Sequence, residues 1–164
     1  MSKILHGGRL SNIREDVARF TSSIKYDDRL LSSIISINKA HVIMLMEQKI
    51  ISNPDGIKLL SALDKNSKLS LDPSMEDAHM ALEEAVLNDA GAEVGGNLHI
   101  AKSRNDQVTT AIRMQLRNEL ITLMRSLAHV QDHLAEVAEE HQKTIILQYT
   151  HLQPAQPVTF AHYL

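Results

Sequence analysis

The sequence of 164 residues contains no cysteine and no tryptophan. Without thiols there is no disulfide framework, no cysteine nucleophile, no thiolate-bound zinc and no iron–sulfur cluster. Aromatic residues make up only 3% of the chain, and runs of β-branched residues are few, which argues against a sheet-rich fold. No apolar run approaches the roughly 18 residues of a membrane-spanning helix. The opening MSKILHGGRL has no long apolar core behind its single lysine, so a secretory signal is not expected. Positive charge is not in excess either: a net charge of -3 and a pI near 6.3 argue against a nucleic-acid binder, which shows a basic face. Repeats and low-complexity segments are absent. What is present is 43% hydrophobic and 23% charged residues with nine histidines. These figures fit a soluble, cytoplasmic chain of one-domain length.

Helical spacing dominates the pattern. From Asp27 to about Ile50, Leu30, Leu31, Ile34, Ile35, Ile37, Val42, Leu45 and Met46 recur at helical intervals. Asn53-Pro54-Asp55-Gly56 breaks that helix, and Ile57, Leu59, Leu60 and Leu63 predict a second, with Pro54 near its start. A third helix is expected from about Ser74 to Asn88. Ser74 with Asp77 resembles a capping box, and Gly91 suits the stop. Between Asn105 and Lys143, Leu116, Leu120, Leu123, Leu127, Val130, Leu134 and Val137 alternate by four and three, a heptad seam without Gly or Pro. Ile121, Met124, Ala128, Ala135 and Ala138 add a second stripe, so several partner helices are expected. Tyr149 to Pro157 reads as a polar stretch, and Val158 to Leu164 as the first turns of another helix. The fold class is therefore all-α, with an N-terminal helical part leading into the long helix of a multi-helix bundle. Because the final helix barely begins, the chain reads as the front part of a longer protein.

Three polar clusters stand at helix ends: Glu76-Asp77-Ala78-His79, the segment HIAKSRNDQ from His99 to Gln107, and Tyr149-Thr150-His151-Leu152-Gln153. Helix N-termini present free N–H groups and favour anions. Lys102, Ser103, Arg104 and Asn105 add donors there, suited to a substrate bearing carboxylates or phosphates. The plainer reading makes Ser103 or Asn105 a cap and Arg104 a solvated charge. His151, in a loop held by prolines, is a candidate acid or base, or else a histidine bonded to backbone in a turn. His79 shares a helix face with Glu76. His129 and His133 stand at i,i+4 and could chelate a metal. They fall at outer heptad positions with no third ligand apparent, so no metal site is assigned. The pairs Gly7-Gly8 and Gly95-Gly96 lack a nucleotide-loop pattern and read as turns.

HIAKSRNDQVTTAIR, EDAHMALE and YTHLQPAQPVTFAHYL resemble three motif blocks of the argininosuccinate lyases, a branch of the aspartase/fumarase superfamily. HGGRL resembles that family's entry segment, and SSIKYDDRL its Ser-Ile-x-x-Asp stretch. The resemblance runs from about residue 5 to the last residue. It implies a β-elimination of argininosuccinate to fumarate and arginine, without a cofactor, by a homotetramer that builds each active site from three subunits. It further implies an N-terminal domain at 1–103 carrying substrate-binding segments, and the start of the central bundle domain at 104–164. By the same resemblance Thr150 and His151 are catalytic. Ser23, Asp27, Asp77, His79, Lys102, Arg104, Asn105 and Gln153 are the substrate-binding residues. Partners are a small-molecule substrate and further copies of the chain, with no nucleic acid and no membrane.

Departures from the family pattern fall at three places. The usual His-Thr-Gly-Arg is His99-Ile100-Ala101-Lys102, which exchanges a bidentate arginine for a point charge. The first-helix Asp-x-x-Gly-Ser falls on Ile34, Ile37 and Asn38. The Pro-Gly before Tyr-Thr-His is Leu147-Gln148. The family's Gly-Ser-Ser loop with its catalytic serine has no counterpart among these residues, nor does the carboxylate that partners the acid/base histidine. Two other readings stay open: another superfamily lyase such as adenylosuccinate lyase, or a non-catalytic helical assembly protein. A histidine-based metal-binding bundle is a third and weaker one.

Overall fold

The computed structural model describes residues 15–72 and 75–164. Helix α1 (Glu15–Thr21) and the one-turn α2 (Ile24–Asp27) lead through a 3₁₀ turn (Asp28–Leu30) into α3 (Leu31–Glu47). Leu31, Ile34, Ile35, Val42 and Leu45 lie on one face of α3 and are buried. By length and composition the stretch Arg19–Glu47 is apolar enough to cross a membrane, with a mean hydropathy of 1.3. The expectation that no run comes close to that measure is corrected on this point. The buried face of α3 packs against α4 (Asn53–Lys65) and α5 (Ala78–Ala90).

Each of these helices has an identifiable start. Ser52 caps α4: its Oγ accepts from the Asp55 amide at 3.2 Å, and Pro54 occupies the first turn. Leu59, Ala62 and Leu63 are buried on α4, whereas Ile57 is 62% exposed and drops out of the expected apolar face. Lys39–Asp64 and Lys65–Asp89 ion pairs join α4 to its neighbours at the rim. The expected start of the third helix at Ser74 is corrected to Ala78. Asp77 is the residue whose carboxylate caps, accepting from the Met80 amide at 2.7 Å. Ser74 itself, like HGGRL with Gly7-Gly8, lies outside the described residues. Gly91, with φ of 85°, ends α5 in the left-handed region that glycine adopts without strain.

A short α6 (Ala92–Gly95) and a 3₁₀ turn (Gly96–His99) follow. A Cβ on Gly95 would stand 2.9 Å from Leu87 Cα, so α6 approaches α5 as closely as backbone allows. Helix α7 (Arg104–Glu140) has 37 residues, about 55 Å. The contacts divide the chain into two units between Leu116 and Arg117.

The second unit carries most of the heptad seam. Leu120, Leu123, Met124, Leu127, Val130 and Leu134 are all exposed, from 39% to 68%. The helical reading stands with one addition: residues expected as a polar stretch form an antiparallel hairpin, β1 (Ile145–Thr150) and β2 (Gln153–Thr159). Helix α8 (Phe160–Tyr163) therefore begins at Phe160 rather than Val158. Pro154 and Pro157 are tolerated because both strands of a two-stranded sheet are edges. The register shifts between Leu147 and Tyr149, which breaks the alternation that would mark a strand.

Leu63 is fully buried in the first unit. Leu63→Ala is expected to cost about 2–5 kcal/mol, and Ser52→Ala about 1 kcal/mol. Urea unfolding of the first unit checks both, and equal effects would contradict the packing described.

Candidate active site

In the first unit three segments meet around the start of α5. The turn before α2 is stitched to it by backbone and hydroxyls. Ser22 Oγ donates to the carbonyls of Met75 and Glu76 at 3.0 and 3.1 Å, and the Ser23 amide donates to Glu76 at 2.9 Å. Asp27 is buried, and its Oδ2 accepts from Ser23 Oγ at 2.9 Å and from the Ala78 amide at 3.0 Å. Asp27 thus sits with Asp77 at the N-terminal end of α5, where amides and the helix dipole stabilise negative charge.

The entry to α7 brings the third segment. Ser103 accepts the Asn105 amide on its Oγ and the Gln107 amide on its carbonyl, both at 3.2 Å, so it fixes the first turn. Arg104 then reaches between two carboxylates of the α5 segment. Its nitrogens stand 3.7 Å from Asp77 Oδ1 and 3.6 Å from Glu83 Oε2. The other oxygen of Glu83 meets His99 Nδ1 at 2.7 Å. An open pocket of about 350 Å³ borders this cluster, with Met80, Leu87, Leu98, Gly95 and Gly96 as its apolar wall. Glu83 and His99 carry no role in the sequence reading. The one signal for Glu83 is its i,i+4 spacing from His79 on a single helix face.

His79 and Gln107 are buried among these groups, 4% and 2% exposed. Among the described residues neither ring nitrogen of His79, nor Gln107 Nε2, makes a hydrogen bond of ordinary geometry, although the Gln107 side chain lies beside the imidazole. Burial, and then the charge of Arg104, hold the His79 imidazole below its ordinary value of 6.5, with Asp77 opposing. Burial pushes the Lys102 ammonium down to about 8, with Arg104 adding to the effect and Glu83 opposing it. Lys102 hydrogen-bonds Asn38 Oδ1 on α3. The Asn105 side chain is exposed at the helix start. A guanidinium at a helix N-terminus, beside an apolar hollow, is chemically suited to hold a carboxylate.

Thr150, His151 and Gln153 belong to the second unit, where the structure brings them together at the hairpin tip. Thr150 pairs with Gln153 across a two-residue turn made of His151 and Leu152, with φ of 49° and 62°. Both turn residues are left-handed, as the favoured two-residue hairpin turns require, yet neither is the usual Asn or Gly. His151 is therefore held exposed at a fixed apex rather than in an irregular loop. Among the described residues no group of three His, Asp or Glu side chains is arranged to hold a metal ion. His133 Nδ1 lies 3.6 Å from Glu136, with both side chains 76% exposed.

Because the folded His79 binds its proton more weakly than the unfolded one, the unfolded state takes up a proton first as pH falls. Its contribution is complete above pH 6.5 and is lost as acid approaches the depressed folded value. The urea midpoint of the first unit is expected to drop between pH 7 and pH 5, and to drop less in His79→Gln. An identical drop in both proteins would contradict this account.

The chain matches the family described as "Lyase" over residues 11–164. It is 44% identical over 167 residues to argininosuccinate lyase of Methanocaldococcus jannaschii, covering 98% of the chain and 34% of the relative. It is 46% identical to argininosuccinate lyase of Methanosphaera stadtmanae, covering 98% of the chain and 36% of that protein. The crystal structure of an EDDS lyase in complex with formate superposes with a TM-score of 0.74 at 31% identity, over 82% of the chain and 27% of the other. The chain thus spans about a third of the length of the curated relatives it matches. Helical fold, anion-suited helix entry and sequence similarity agree: the chain belongs to the lyase family.

Proposed function

We propose that these residues serve a cytoplasmic argininosuccinate lyase, which eliminates arginine from argininosuccinate to give fumarate, working as a homotetramer. The observation that carries the reading is Arg104 in its SRNDQ segment, set between Asp77 and Glu83 at the first turn of α7. In the reaction a C–H bond beside a carboxylate loses its proton, the adjacent C–N bond breaks, and the leaving nitrogen gains a proton. The proton is very weakly acidic, so the developing anion needs donors already in place. Arg104 and Asn105 would hold the substrate carboxylates, with Asp77 beside the guanidinium at the start of α5. Ser23, Asp27 and His79 would set the substrate-binding segments around the start of α5, and Lys102 would add positive charge at the helix entry. Thr150 would donate its hydroxyl beside Gln153, while His151 would serve the proton transfers.

Fumarate release, followed by ultraviolet absorbance, tests this in the full translated protein that carries these residues. Argininosuccinate is expected to be cleaved and adenylosuccinate not; the reverse would sink the assignment. Arg104→Ala is expected to lower kcat/KM about a hundredfold or more. The 164 residues alone are expected to release little or no fumarate, since the family's catalytic serine segment is not among them.

The exposed α7 stripe supports self-association, because contiguous apolar faces of this size normally take a partner. Sedimentation is expected to give an oligomer that Leu123→Lys weakens. A clean monomer at high concentration would count against it.

A further inference from the structure

Asn38 and His41 stand one turn apart on α3, and both reach the segment that precedes α7. Asn38 is 3% exposed. Its Nδ2 donates to the Ile34 carbonyl at 2.9 Å, which fixes the amide's orientation and leaves Oδ1 to accept from the Lys102 ammonium. His41 Nε2 meets the Ile100 carbonyl at 2.9 Å, and with a carbonyl as partner that nitrogen must carry the proton. The two bonds fall on either side of Ala101, whose φ is 55°. An alanine in the left-handed region persists only where its surroundings over-determine it. Two residues beyond Lys102 comes Arg104, so whatever fixes residues 100–102 also fixes the direction in which the guanidinium leaves the helix start.

We propose that Asn38 and His41 form a latch on α3 that sets the entry of α7, and that Lys102 is a positioning residue acting through Asn38 rather than a contact of the substrate. The latch serves Arg104 from behind. Lys102 spends its ammonium on a buried amide oxygen, where a single acceptor suits a point charge better than a planar fork. The kinetic consequence rests on the lyase reading; the structural one does not.

The test compares Asn38→Leu, Lys102→Met and their combination in the full translated protein, with two readouts. Amide hydrogen exchange over residues 100–104 is expected to quicken about tenfold or more in each single variant, the effect of losing one charge-assisted hydrogen bond, while residues 80–88 of α5 keep their protection. Should Asn38→Leu fail to fold, Lys102→Met and His41→Phe carry the same expectation. Unchanged exchange at 100–104 in the folded variants overturns the latch, whether or not the protein is a lyase. In fumarate release, both single variants are expected to lose kcat by a similar factor, the double variant no more than the worse single one, and Lys102→Arg to recover most of the loss. A rise in KM confined to Lys102→Met, multiplying with the Asn38→Leu effect, would show a direct substrate contact and overturn the positioning role. A wild type that releases no fumarate from argininosuccinate refutes the lyase reading alone, and the exchange result still decides the latch.

Discussion

Much of the first unit depends on one buried carboxylate. Asp27 Oδ2 takes a hydroxyl from its own turn and an amide from a residue 51 positions away. A charge removed from water is costly unless its lone pairs are met, and these two donors meet those of Oδ2. The second donor is the Ala78 amide at the first position of α5, so satisfying Asp27 also fixes where that helix begins. The cap at Asp77, the buried ring of His79 and the carboxylate of Glu83 take their places from that start.

The charged groups around Arg104 are held but not neutralised into a closed salt bridge. At 3.6 and 3.7 Å its two carboxylate contacts are longer than the 2.7–2.9 Å of a charge-assisted hydrogen bond. The guanidinium is steered electrostatically while its N–H groups keep capacity for another oxygen. Glu83 divides its two oxygens between Arg104 and His99, which links the α5 segment to the 3₁₀ turn ahead of α7. One side chain thereby ties together the wall of the pocket and the cation at its edge.

What the sequence made legible is what repeats or caps locally. The 37-residue helix announces itself through seven apolar positions at heptad spacing, because a period needs no partner to be read. Pro54 marks the start of α4 in the same local way. The hairpin does not, since its two prolines and shifted register erase the period of two, and pairing partners such as Ile145 and Thr159 are 14 residues apart. The start of α5 was misplaced by four residues because Ser74 and Asp77 both make plausible caps, and the choice between them is made by the contact of Asp27. The motif segments identified Arg104, Asn105, Thr150 and His151 as residues of interest. Glu83 has only its spacing from His79, His41 has no local signal, and His99 and Asn38 stand out only as members of motif segments, because the importance of all four lies in contacts across 16 to 64 positions.

Gly95 and Gly96 look alike in the sequence and differ in what they permit. At position 95 any side chain would meet the backbone of Leu87, so only one amino acid fits there; at position 96 nothing lies within 4 Å of where a Cβ would stand. The same two letters thus carry unequal information: one is an obligation of the fold, and the other leaves open space at the pocket wall. The obligation also sets a minimum distance, because the two helices can meet at that point only while the spelling at residue 95 stays unchanged.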